Sequence, residues 1–308
     1  MQRFTGFAVL FLLLSTASAG FAQGVARNED WSSITLAGST LKAQPPLLGE
    51  RDDYPDFTRE LIRVEWRAGD PIDLYVILPK QVQKAPVILY LYGFPSETDR
   101  FQNEDFCKLL AKNGFAAVGF VSALTGQRYH DRPIKEWFVS ELQESIGSSV
   151  HDVEMILNYL DMRGDVDMNC VGMFGEGSGA AIAVLAAAGD SRIKAIDLLN
   201  LWGDWPDWLA KSSVVPDQER ADYLKSDFLK KVERLDPVEW LSKLKIPVRL
   251  QYLYSGLSTP KAAQVRLEKS LSSQAVFVPE AEALRAYRSS SGDRFFDWIK
   301  DQARRAQR

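Results

Sequence analysis

The chain has 308 residues, of which 46% are hydrophobic and 25% charged, with a net charge of −4. That is long enough for a large α/β domain with a sizeable core, and the mildly acidic balance gives no electrostatic basis for binding nucleic acid. Two cysteines and two histidines, scattered along the sequence, show no metal-ligand spacing.

Residues 1–22 read as an export signal: an early Arg3, an apolar run from Phe7 to Leu14, and small residues at Ala17, Ala19 and Ala22, with cleavage expected after Ala19 or Ala22. The run is too short to span a bilayer, so no stable membrane span is expected once the signal is cleaved. The compartment this implies is periplasmic or extracellular. A disulfide between Cys107 and Cys170 is permitted there, but two buried free thiols are the default expectation.

Residues 23–57 carry turn-rich stretches such as QPPLL and RDDYPDF and are expected to be irregular. From residue 58 the pattern becomes regular. Two strand-like runs flank RAGDP at 67–71 and predict an antiparallel hairpin. APVILYL at 85–91 and FAAVGFV at 115–121 are near-continuous apolar runs, as expected of strands buried on both faces. Between them, EDFCKLLAKNG has helical spacing and stops at Gly114. Residues 148–164 form an amphipathic pattern with Val150, Val153, Ile156, Leu157 and Leu160 on one face.

A strand at 168–174 then runs through GEGSG (175–179) into a helix of small residues. Further strands are expected at 193–200, 246–254 and 274–278, with a final helix near 293–306. The mainly helical, Trp-rich stretch at about 202–244 reads as a small cap inserted between strands. Alternating strands and helices predict a mainly parallel central sheet covered by helices on both faces, with an antiparallel N-terminal edge.

This order of elements resembles the α/β-hydrolase fold over roughly residues 58–304, within a single domain taken as 58–308. Two motifs carry the resemblance: YGFP at 92–95, similar to the loop that follows the third strand in that superfamily, and GEGSG, similar to the G-x-S-x-G nucleophile elbow. The resemblance implies an oxyanion-hole N–H from Gly93 or Phe94 and a nucleophile at the apex of the elbow. The apex residue is Gly177, which has no attacking atom. Ser178 lies one place too late; its N–H is expected at the second oxyanion position and its hydroxyl at the helix cap.

A base is missing as well. The family's His follows the last strand, where residues 279–296 contain none, and both His130 and His151 precede the elbow. His130 is expected at the surface and His151 as a solvated or capping side chain. SGLSTP at 255–260 supplies no acid, and Asp204, after the preceding strand, has no His to orient. The resemblance therefore implies a degenerate member of dienelactone-hydrolase or serine-peptidase type, with no catalytic residue in the ordinary sense and no cofactor.

Three functional readings follow from the residues. The first is a binding module whose pocket is walled by Tyr92, Glu176, Trp202, Asp204 and Trp205 and holds a small-molecule or protein ligand. The second is an ester or peptide hydrolase with an unconventional site, in which Glu176 and Asp204 activate water. The third is a dinucleotide-binding oxidoreductase, because GEGSGA also fits G-x-G-x-x-G/A and Asp197 stands near the distance of a ribose-binding acid. Loss of nucleophile, base and acid together favours the first.

Overall fold

The computed structural model describes residues 29–124, 138–254, 258–289 and 296–305. The signal region and His130 lie outside the described residues. Nine strands among them form one sheet in the order β1-β2-β3-β5-β4-β6-β7-β8-β9. β1 (Leu47–Asp53), β2 (Phe57–Val64) and β3 (Ile72–Pro79) pair antiparallel, and β3 meets β5 (Ala116–Phe120) antiparallel. From β5 onward, β4 (Ala85–Leu91), β6 (Val166–Glu176), β7 (Ile193–Leu199), β8 (Val248–Gln251) and β9 (Val276–Val278) are all parallel. The mainly parallel sheet with an antiparallel N-terminal edge is the architecture the sequence predicts.

β1 is a departure, since it lies within the stretch expected to be irregular. Six of its seven residues are exposed, so it is an edge strand held by backbone pairing to β2 and shows no buried face. Without a buried face there is no period-two apolar pattern to read.

The sheet's two faces bury separate cores. Along β4, Val87, Leu89 and Leu91 enter one cluster, while Ile88 and Tyr90, followed by Tyr92, enter the other, as the two-residue period of a strand requires. The first face is covered by α2 (Leu142–Arg163) and α3 (Ser178–Gly189). The second is covered by α1 (Glu104–Ala111) and α10 (Asp297–Arg305). The Asn103 side chain caps α1 by accepting the Phe106 N–H at 2.9 Å. Between β7 and β8 the chain forms four short helices, α4 (Trp205–Lys211), α5 (Arg220–Tyr223), α6 (Ser226–Val232) and α7 (Val238–Leu241), which make the cap. α8 (Lys261–Lys269) and α9 (Glu280–Ser289) follow β8 and β9.

The chain leaves β4 for β5 and returns to β6 on β4's opposite flank. The carboxyl ends of β4 and β6 thus frame a topological switch point, where an open α/β sheet offers its crevice to ligands. YGFP ends β4 and GEGSG ends β6, so the two motifs meet there.

Candidate functional site

The turn after β6 is built by backbone contact. A β-carbon on Gly179 would overlap the Leu91 carbonyl, and one on Gly175 would lie 2.5 Å from the Ala180 α-carbon. Only glycine lets α3 start so close to β4. At the apex, Gly177 has φ 56° and ψ −116°, a backbone state that side chains resist. It is the last residue before α3, whose first N–H groups have no partner within the helix. Gly93 closes the other side: a β-carbon there would stand 3.1 Å from the Glu176 carbonyl.

Ser178 is fully buried, and its Oγ accepts the Phe94 N–H at 2.9 Å. The hydroxyl therefore does not cap α3, as expected from sequence; it bridges to the loop after β4. The consequence is chemical. The resemblance places an oxyanion-hole donor at Gly93 or Phe94, and here the Phe94 N–H is taken by the neighbouring serine. The loop itself is pinned from below, where the buried Glu97 carboxylate accepts the Ser122 N–H at 3.0 Å and bonds its hydroxyl. Nothing in SETDR marked Glu97 as the anchor, because its partner is 25 residues away.

Trp202 forms the wall facing the apex. It stacks on Phe138 at 6.3 Å between ring centres and lies 4.8 Å from Trp208. Its buried indole Nε1 has no hydrogen-bond partner, and it would be 3.2 Å from a β-carbon on Gly177. A buried donor left unpaired costs about 1–3 kcal/mol, so this N–H bordering an empty side-chain position is the most informative polar group of the crevice. On the other side of the elbow, the Arg100 guanidinium lies 4.3 Å over the Tyr92 ring and 3.7 Å from the Glu176 carboxylate. Burial pushes the Glu176 carboxyl above its ordinary range, opposed by Arg100.

The structure separates the remaining candidates from this crevice. Asp204 and Trp205 line a different cavity of about 450 Å³ between the cap and α8, together with Asp236 and Arg266. Asp204 precedes α4 with φ 56° but makes no side-chain cap, and its carboxylate pairs with Arg266 at 3.0 Å. Asp236 does the capping instead. Its two oxygens accept the Asp204, Trp205 and Val238 N–H groups at 2.8, 2.8 and 3.1 Å. Trp205 is a packing residue, edge-on to Trp208 and donating to the Leu235 carbonyl.

His151 is neither solvated nor capping. It is buried in α2, with Nε2 2.8 Å from the Ser33 carbonyl and its ring 6.0 Å from that of Trp31. It is thus engaged by the N-terminal segment and not by the elbow. The dinucleotide reading also loses its acid: Asp197 is fully buried in β7, bonded by Arg249 at 2.9 and 2.5 Å and by Gln251 at 2.9 Å. Cys107 and Cys170 are free and buried, each donating to a backbone carbonyl, and burial pushes both thiols up to about 11. Among the described residues there is no cluster of three or more metal-ligating side chains and no helix long and apolar enough to cross a membrane.

Comparison with known proteins agrees with this fold. Residues 72–201 match the Dienelactone hydrolase family. No curated protein matches the chain in sequence. Among solved structures it is similar to acetyl xylan esterase 1 from Thermoanaerobacterium sp. JW/SL YS485, with 14% identity over 79% of this chain and 82% of that one, at a TM-score of 0.57. A cold-adapted esterase from an Arctic intertidal metagenomic library gives 15% identity over 83% and 99%, at 0.56. Pyrococcus horikoshii acylaminoacyl peptidase gives 14% over 84% of this chain but half of its own length, also at 0.56. At such identities the likeness is one of fold: the chain has the α/β-hydrolase fold.

Proposed function

We propose that this α/β-hydrolase-fold protein is exported and uses the elbow crevice to bind a ligand without Ser-His-Asp hydrolysis. One observation carries the reading: the apex residue is a bare glycine, while the hydroxyl beside it accepts the Phe94 N–H, so the attacking atom is missing and an oxyanion donor is already engaged. The sequence supports the same view, since no histidine follows β9. A serine hydrolase stripped of its triad keeps only about 10³–10⁴-fold acceleration over water, and that residue depends on an open oxyanion hole. What supports recognition near the apex is its chemistry: buried aromatic rings at Phe138 and Trp202 and an indole N–H without a partner. Export rests on the signal-like residues 1–22.

The test is a panel of short-chain aryl esters together with a fluorophosphonate probe. The expected result is hydrolysis at the buffer rate and no covalent label. Labelling of Ser178 would overturn the proposal. One observation favours a second reading, the raised carboxyl of Glu176 next to the apex, which suits a general base for water. That reading requires measurable ester turnover that Glu176→Gln abolishes.

A further inference from the structure

The cavity between the cap and α8 is a second place where the fold leaves room, apart from the elbow. Its walls come from the start of α4, from α6, from the turn before α7 and from α8, and it measures about 450 Å³, a size common among small-molecule sites. The chain enters this wall through a close passage. A β-carbon on Gly203 would stand 2.9 Å from Leu267 of α8 and 3.2 Å from Pro237, so the backbone fits between them only as glycine. The next residue, Asp204, is held at φ 56°, an uncommon state for a residue with a side chain.

Two buried carboxylates line this cavity, and the fold treats them differently. Asp236 spends both oxygens on three backbone N–H groups. Asp204 is buried as deeply, with 5% of its side chain exposed, yet it caps nothing. Its Oδ2 accepts no hydrogen bond. The Arg266 Nε stands 3.0 Å away, but its N–H is not aimed at that oxygen, and 60% of the Arg266 side chain is exposed. Burying a carboxylate without hydrogen bonds is costly, and a solvent-screened guanidinium offsets little of that cost. Burial accordingly holds the Asp204 carboxyl above its ordinary range in spite of Arg266, with Asp207 adding to the push.

We infer that this cavity binds a small organic cation with an apolar body, an alkyl- or arylalkyl-ammonium, and that Asp204 is its anchor. The charge balance selects the sign. Among the described residues the lining holds four carboxylates, those of Glu233 and Glu239 besides the two aspartates, against Lys230 and Arg266. Leu229, Val238 and Pro206 supply an apolar wall for the ligand's body. Trp205 belongs to that wall as well: its indole N–H is committed to the Leu235 carbonyl, so it offers carbon surface and no donor. An ammonium N–H meets the Asp204 carboxylate in line where the Arg266 Nε–H does not, and charge-assisted bonds of that kind are the strong ones. Arg266, on a largely exposed stem, gives way to it. This site stands independently of the elbow and of what the elbow binds.

Three probes of matched shape test this on the full chain at neutral pH: phenylbutylammonium, the neutral phenylbutanol and the anionic phenylbutyrate. Binding is followed by the nuclear magnetic resonance signal of the Trp205 indole N–H, which reports from the cavity wall. The ammonium is expected to shift that signal saturably, with the alcohol about ten-fold weaker or more and the carboxylate weaker still. Asp204→Asn is expected to weaken the ammonium about ten-fold or more while leaving the alcohol unchanged. Arg266→Gln, at an exposed position that does not threaten folding, removes the competing cation and is expected to tighten the ammonium by about two- to five-fold. No saturable shift with the ammonium overturns the inference, and so does an alcohol or carboxylate that binds as tightly. Should Asp204→Asn fail to fold, Arg266→Gln decides: weaker ammonium binding or tighter carboxylate binding in that variant would make the cavity an anion site and overturn the assignment.

Discussion

At the elbow and beneath residues 29–41, a strap along α2 and the end of α3, backbone lies directly on backbone because glycines remove the intervening β-carbons. Gly175 and Gly179 bring α3 onto β4, and Gly147 and Gly189 bring the strap onto α2 and α3. The two seams then differ in their buried polar groups. Beneath the strap, charges are collected into a network in which Asp152 takes the Trp66 indole at 2.9 Å and Arg67 at 2.6 Å, and Arg67 reaches Glu29 at 2.7 Å. At the elbow, the Trp202 indole N–H is buried with no partner beside an empty side-chain position. Both seams leave buried polar atoms unpaired, Glu29 Oε1 and His151 Nδ1 under the strap and Trp202 Nε1 at the elbow; the strap seam is built of charges and the elbow seam of aromatic rings.

The largest expected effect breaks the structural half of this comparison. Gly179→Ala drives a methyl into the Leu91 carbonyl, which belongs to a central strand and has nowhere to retreat. The expected cost is about 3 kcal/mol or more, seen as loss of soluble folded protein or a collapse of the urea midpoint. Next comes Asp152→Ala, which strips a fully buried carboxylate from both Trp66 and Arg67. Breaking a buried pair by removing one partner costs about 3–5 kcal/mol, and Arg67 retains Glu29, so the lower end is expected in chemical denaturation. An unchanged midpoint would mean that the strap seam is not the ordered network described here.

The general outline was legible in the sequence because parallel strands announce themselves by apolar runs, and the elbow glycines by spacing. APVILYL and GEGSG led directly to β4 and the turn after β6. What was not legible depended on partners distant in the chain. Ser178 is 84 residues from the Phe94 N–H it accepts, and His151 is 118 from Ser33. Neither pairing leaves a local pattern, so the serine was expected to cap its own helix and the histidine to face solvent. The start of α4 hides a distant partner too: the carboxylate that caps it comes from Asp236, 32 residues after Asp204.

Asp236 gives a smaller, pH-dependent test. Burial pushes its carboxyl up to about 6, against the three N–H groups it accepts. Because the folded value is raised, the protonated form is favoured on folding. This group's contribution is full below the ordinary carboxylate value and is lost as the pH rises through about 6. Asp236→Asn is expected to flatten the dependence of stability on pH between about 4 and about 6, by roughly 1–3 kcal/mol across the window. A wild-type stability that rises with pH relative to Asp236→Asn across that range would contradict the sign.

The smallest expected effect is the most pointed, because it places the family's nucleophile where this chain has none. In Gly177→Ser the new β-carbon meets the Trp202 Nε1 at 3.2 Å, a tight but tolerable contact, on a backbone already at φ 56°. The positive φ strains any side chain placed there, and the surroundings do not activate one. The nearest polar side-chain atom is an indole nitrogen, which donates and cannot take the serine's proton. The oxyanion donor at Phe94 stays occupied by Ser178, and the described histidine is held at the strap. Ester turnover is therefore expected to remain at the buffer rate, with a modest loss of stability read from the melting temperature. Opening the oxyanion donor as well, in Gly177→Ser combined with Ser178→Ala, sharpens the point: donor and nucleophile would both be present, and only the base missing. If the double variant also stays silent, the missing base alone is enough to keep the crevice from catalysis. If either variant turns over ester at a rate typical of hydrolases, a proton acceptor lies within reach of residue 177, and the elbow is a working site deprived of one oxygen atom.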